Sequence, residues 1–222
     1  MGCMIEQPEL EPGQTLLLTI RHGLTELNRD KRVGGHTDVP LIEEGLQQAQ
    51  SARANFQGTP FEVVVSSPLE RAIQTAVIVT GVARQALVVE PLCIERFFGA
   101  MEGLTRAQVQ ERFPQILYLQ IDQVGYSLNP PGGESFEALR RRAASFLDLL
   151  LDQHAGRRVV VSSHQNFLQQ LHGLLDDRDP FDCLRQDILN LELNQFQLGA
   201  HGELLDHRKV YLCPEVDRHG SF

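Results

Sequence analysis

The chain has 222 residues, 42% of them hydrophobic and 22% charged, with a formal net charge of -9. That length and apolar content suffice for one substantial core. The acidic balance excludes a protein that grips a nucleic-acid backbone through clustered Lys and Arg, yet leaves room for a small anion held where a few basic residues converge.

The first residues, MGCMIEQPELEPGQ, have no basic n-region and no apolar h-region, so residues 1–14 read as a flexible tail and not as a secretory signal. Gly2 and Cys3 resemble an acylation site, but Glu6 stands where a myristoylation motif needs Ser or Thr. Residues 15–222 read as a single domain. "TLLLTI" at 15–20, "FEVVVSS" at 61–67 and "RRVVVSS" at 157–163 are continuous apolar, β-branched runs, the pattern of strands buried on both faces of a parallel sheet.

Apolar residues at three- and four-residue spacing predict helices over 41–56, 68–79, 134–151 and 166–175, with a further strand at 87–90. At the start of the second helix, Ser67, Pro68 and Glu70 predict an N-cap, a first-position proline and a capping box. Residues 113–129 show no clear period, and Pro130 to Gly133 read as a loop. The tail "LELNQFQLGAHGELLDHRKVYL" alternates around "GAHG" and predicts a hairpin or two edge strands. Together these give an α/β three-layer sandwich, a mixed, mostly parallel sheet flanked by helices on both faces.

In open parallel sheets a ligand sits beyond the carboxyl ends of the strands. Arg21 and His22 follow the first strand, Ser66 and Ser67 end the second with Arg71 one turn beyond, and His164 follows the later "VVVSS". Two His and two Arg gathered at one edge repel, at about 4 kcal/mol per unit-charge pair at 4 Å and an effective dielectric near 20, unless an anion compensates them. A phosphoryl group is the natural compensator, and a helix start beside Arg71 adds free N–H groups.

These residues resemble a known family. "RHGLTELN" is similar to the R-H-G-x-T-x-x-N signature of the histidine phosphatase superfamily, the phosphoglycerate mutase-like proteins. "GGHTDVPLIEEG", "SSPLERAIQTA", "IERFFGAMEG", "PGGESFEALRRR" and "VVVSSHQNF" resemble its later segments in the family order. The resemblance implies that His22 is the nucleophile that becomes phosphohistidine, that Arg21, Arg71 and His164 bind the phosphoryl oxygens, and that Glu95 is the general acid. It further implies that Asn28 and the motif residue Thr25 contact the phosphoryl group or substrate. Gly34, Gly35 and the stretch from Arg96 to Phe98 would line the pocket, joined by Gln165 and Asn166 after the second histidine. Gln165 departs from the usual His-Gly, and Glu134 has two readings, a pocket residue or an N-terminal helix charge.

Phosphoryl transfer needs positioning and charge stabilisation, which Arg supplies without a metal or other cofactor. His36, His154, His172, His201, His207 and His219 lack a repeated ligand spacing, so no metal is expected. Hydrolases and mutases of this family share one pocket. Here "YLQIDQVGYSLNPPGG" carries no Arg or Lys to clamp a substrate carboxylate and keep water out, which favours a phosphatase acting on a small phosphate ester. A phosphomutase and a non-catalytic phosphate-binding module are the alternatives. The four cysteines, Cys3, Cys93, Cys183 and Cys213, lack C-x-x-C spacing, as expected of reduced thiols in the cytoplasm. Arg140 to Arg142 read as a solvated helix face; no membrane partner is expected, and apolar residues of the tail leave a homodimer open.

Overall fold

The computed structural model describes residues 5, 8–122 and 124–213; Gly2, Cys3, Glu6 and His219 lie outside the described residues. The strands are β1 (Thr15–Arg21), β2 (Val63–Ser66), β3 (Val88–Val89), β4 (Tyr118–Ile121), β5 (Val124–Ser127), β6 (Arg158–Ser163), β7 (Glu192–Leu198) and β8 (Leu204–Tyr211). The helices are α1 (Glu26–Arg29), α2 (Glu43–Phe56), α3 (Glu70–Thr80), α4 (Arg106–Arg112), α5 (Phe136–His154) and α6 (Gln165–Leu175).

Six strands form one sheet in the order β3-β2-β6-β1-β7-β8. β3, β2, β6 and β1 run parallel, while β7 and β8 close the far side as an antiparallel hairpin. This is the mixed, mostly parallel sheet expected from the three apolar runs.

Side-chain alternation along β1 divides its residues between two cores. Leu16, Leu18 and Ile20 pack with Ala49, Ala52 and Phe56 of α2 and Ala76 and Val79 of α3. Leu17 faces the other way and joins Leu139, Phe146, Phe167 and Leu171 of α5 and α6. Helices therefore cover both faces, and the middles of the central strands are apolar because neither side meets water. Ile5 is buried in the first of these cores, with Leu10 packed against it. Among the described residues, no helix is long and apolar enough to cross a membrane.

The register brings the functional strand ends together. Arg21 on β1 pairs with Ser163 on β6, and Ser66 on β2 pairs with Ser162, so three parallel strands stop at one edge. The residues that follow are His22, Ser67 and His164.

Two expectations need correction. Helix α3 starts at Glu70, with Leu69 as N-cap and no side-chain cap. The Glu70 N–H donates to Asp38 Oδ1 at 2.8 Å, and the Glu70 carboxylate pairs with Arg84. Ser67 cannot close a capping box because its hydroxyl is engaged at 2.7 Å with His164, a better contact than the 3.4 Å one from the Leu69 amide.

The Arg140 to Arg142 run is not a uniformly solvated face. With Leu139 and Ala143 turned into the core, a helical step of 100° sends only Arg141 outward, where it pairs with Glu137. Arg140 donates to the carbonyls of Gln170, Gly173 and Arg178, and Arg142 turns toward the 92–95 segment. Residues 113–129, unreadable by period, hold the two-stranded hairpin β4–β5.

Candidate active site

A cleft opens over the strand ends. All the candidate residues except His164 line it: Arg21, His22, Thr25, Asn28, Gly34, Gly35, Arg71, Glu95, Phe98, Gln165 and Asn166. His164 lies just behind, fully buried, with its ring 5.1 Å from that of His22.

His22 is held by its neighbours on every side. Its backbone N–H donates to Ser163 O, and its carbonyl accepts from Asn190 Nδ2 at 2.6 Å. The ring Nδ1 lies 2.7 Å from Gly23 O; a carbonyl can only accept, so Nδ1 carries the hydrogen. Burial, with Arg71 and Arg21 alongside, pushes the imidazole well below its ordinary value of 6.5. The ring is therefore neutral, and its free lone pair is on Nε2.

Glycines set the tight approaches around it. Gly35 has φ of +54°, and a Cβ there would sit 2.0 Å from Glu102 Oε1. Glu102 in turn accepts from the His36 N–H and the Phe98 N–H, tying together the two loops that frame the cleft.

The two guanidinium groups are spent partly on backbone. Arg21 donates from Nη1 to Ile188 O, while its buried Nε has no partner. Arg71 donates to Gly35 O and Thr37 O at 2.7 and 2.8 Å, and its Nε donates to His164 Nδ1 at 3.3 Å. His164 therefore keeps its hydrogen on Nε2, which donates to Ser67 Oγ. Burial lowers the affinity of both guanidinium groups and of His164 for their protons; the histidine is neutral and the arginines remain cations.

Thr25 caps α1 through a capping box with Asn28, whose Oδ1 accepts from both the Thr25 N–H and hydroxyl. That leaves the Asn28 amide nitrogen as its donor toward the cleft. Glu95 is fixed by three backbone N–H groups: Oε1 takes those of Arg96 and Phe167 at 2.8 and 3.1 Å, and Oε2, the less engaged oxygen, that of Asn166 at 3.3 Å. Two of those donors belong to the first turn of α6. Gln165 is buried and lines the cleft, so it does not simply point to solvent.

Sequence reasoning missed Arg32 in the outer wall. Arg32 and Arg106 line the cleft together with Arg96, which is fully buried under Phe136 at 3.8 Å from the ring centroid, with its Nη1 unpartnered. Tyr118 and Tyr126 of the β4–β5 hairpin complete the wall. Five arginines thus line the cleft against one acid, Glu95. The hairpin lacks cations, as its sequence says, but elements outside it supply them. Among the described residues, no group of His, Cys, Asp and Glu could hold a metal ion.

Comparison with known proteins agrees with this arrangement. The chain is 34% identical over 202 residues to a bifunctional protein of Mycobacterium tuberculosis, matching 89% of this chain and 55% of that protein, so it spans about half the length of that relative. It is 32% identical over 170 residues to a 2,3-bisphosphoglycerate-dependent phosphoglycerate mutase 2 of Gloeobacter violaceus, covering 74% of this chain and 77% of the other. The alpha-ribazole phosphatase structure from Shigella flexneri superposes with a TM-score of 0.73 at 26% identity, covering 86% of this chain and 94% of that one. The family model of the histidine phosphatase superfamily (branch 1) matches residues 17–209, and the chain belongs to that superfamily, whose members are phosphatases or mutases.

Proposed function

We propose that the protein is a metal-independent phosphomonoesterase that hydrolyses a small phosphate ester through a phosphohistidine at His22. The observation that carries this reading is the neutral His22 ring, its Nδ1–H tied to Gly23 O and its Nε2 free, set among Arg21 and Arg71 in the cleft.

Nε2 attacks phosphorus, the P–O bond to the alcohol breaks, and the departing oxygen takes a proton from the Glu95 carboxyl. Water then attacks the phosphohistidine, giving its proton to Glu95; the N–P bond breaks and inorganic phosphate leaves. Arg21, Arg71 and the Asn28 amide stabilise charge on the transferring oxygens, the part a metal plays elsewhere, and His164 orients Arg71 from behind through its Nδ1. Phe98, Met101, Val109, Tyr118 and Tyr126 give the alcohol portion an apolar wall, with Arg106 beside it.

Hydrolysis is preferred over mutase chemistry because the β4–β5 hairpin carries no Arg or Lys to close on a substrate carboxylate and exclude water. The test is phosphate release from p-nitrophenyl phosphate and a panel of phosphate esters, with EDTA present. Release that survives the chelator and disappears in His22→Ala is the expected result. Phosphoryl transfer between two esters exceeding release would move the protein to the mutases.

A further inference from the structure

The 92–95 segment leads into Glu95, the acid of the proposed reaction, through a single 3-10 turn and extended backbone, without strand or long helix to fix it. Its carbonyls are nevertheless all engaged. Arg142 on α5 donates from Nη1 to Leu92 O at 2.8 Å and Ile94 O at 2.6 Å, and from Nη2 to Glu95 O at 3.1 Å. Ser163 Oγ donates to Cys93 O, and His36 Nε2 to Glu95 O.

Arg142 is itself clamped. Its Nε and Nη2 meet the two carboxylate oxygens of Glu134 at 3.0 and 2.7 Å, a bidentate pair whose side chains are 16% and 15% exposed. Glu134 grips the residues on the other side of Glu95 as well: its backbone N–H donates to Phe97 O, and its carbonyl accepts from Arg96 Nε. Neither Arg142 nor Glu134 lines the cleft.

We infer that the Glu134–Arg142 pair is a positioning device that acts through Glu95, fixing the backbone on both sides of the acid so that its carboxyl meets the leaving oxygen. The inference rests on the phosphatase reading and on Glu95 as proton donor. It differs from a role in stability because it predicts a loss that depends on the leaving group. A displaced acid harms substrates whose leaving oxygen needs a proton and spares those whose phenolate departs without one.

The experiment measures kcat/KM for p-nitrophenyl phosphate and for an alkyl phosphate in wild type, Glu134→Gln, Arg142→Lys and Glu95→Gln. This constant reports steps up to phosphoenzyme formation, so hydrolysis of the intermediate does not mask the effect. Misplacing a catalytic group by about 1 Å costs up to about 100-fold. The pair variants are expected to lose about 10- to 100-fold on the alkyl ester and far less on p-nitrophenyl phosphate, in the pattern of Glu95→Gln. Glu134→Gln keeps the side-chain size and one acceptor, so it tests the pair even where Arg142→Lys folds poorly.

Equal losses on both substrates in the pair variants, with Glu95→Gln still selective, would overturn the positioning role and leave the acid assignment standing. Equal losses in Glu95→Gln would instead remove the acid assignment and the inference with it, as would a wild type inert toward every ester.

Discussion

At the scale of single residues the site depends on which atom of a side chain remains free. His22 sits beside a glycine whose carbonyl is 2.7 Å from Nδ1, and that one contact selects the tautomer with a bare Nε2. The neighbouring arginines would repel each other at about 4 kcal/mol per pair at 4 Å and an effective dielectric near 20. Carbonyl oxygens of Ile188, Gly35 and Thr37 offset part of this before any ligand binds. A phosphate ester bound as proposed would add full charges where the arginines now meet only carbonyl dipoles. On the proposed mechanism, the phosphoryl group is expected on Nε2 of His22.

At the scale of elements, helix α2 is the floor on which the loop after His22 rests. A Cβ on Gly45 would lie 2.2 Å from Leu24 O, a backbone atom that also accepts the Ile42 N–H and has nowhere to retreat. In a helix, Gly→Ala normally gains up to about 1 kcal/mol, and overpacking costs about 1–3 kcal/mol. Because the obstruction is backbone, the cost wins: Gly45→Ala is expected to lower the thermal midpoint by calorimetry and to reduce phosphate release, since Leu24 is two residues from His22. An unchanged or higher midpoint would show that the loop yields.

The elements that positioned the site were legible because burial writes a local pattern. β1, β2 and β6 lie between two cores and each carries a continuous run of three apolar residues, and α2, α3, α5 and α6 carry a core-facing stripe. The β4–β5 hairpin was not legible: its strands have four residues each with mixed burial, so neither alternation nor a continuous run develops. The start of α3 was misread for a different reason, since a local capping motif lost its serine to a histidine 97 residues away. Arg142 and Asn190 follow the same rule. Their partners are distant in sequence, 47 residues from Glu95 and 168 from His22, and no spacing announces them. Arg21, His22, Arg71 and His164 were visible because strand ends marked where each side chain would be delivered.

Across the whole molecule, the charge is divided unevenly. A net charge of -9 surrounds a cleft lined by five arginines and one glutamate, so the field that discourages polyanions changes sign at the cleft where a small anion is proposed to bind. The buried histidines carry a second consequence. His22, His164 and His172 are buried, and burial pushes all three down, His172 to about 3. The folded state holds them neutral where the unfolded chain, with an ordinary value near 6.5, takes up protons. Unfolding therefore binds protons below that value, so stability holds above about pH 6.5 and declines as pH falls beneath it. Thermal midpoints by circular dichroism are expected to fall between pH 7 and pH 5, before most carboxylates titrate. A midpoint that rises over that interval would contradict the neutral assignment.

The most direct measurement of the central claim is to quench the enzyme in alkali during turnover of a phosphate ester and map the phosphoryl group by mass spectrometry and phosphorus NMR. The account predicts an acid-labile, alkali-stable phosphohistidine at His22, bonded through Nε2 and absent in His22→Ala. Turnover with no phosphoenzyme, or with the group on another residue, would contradict it.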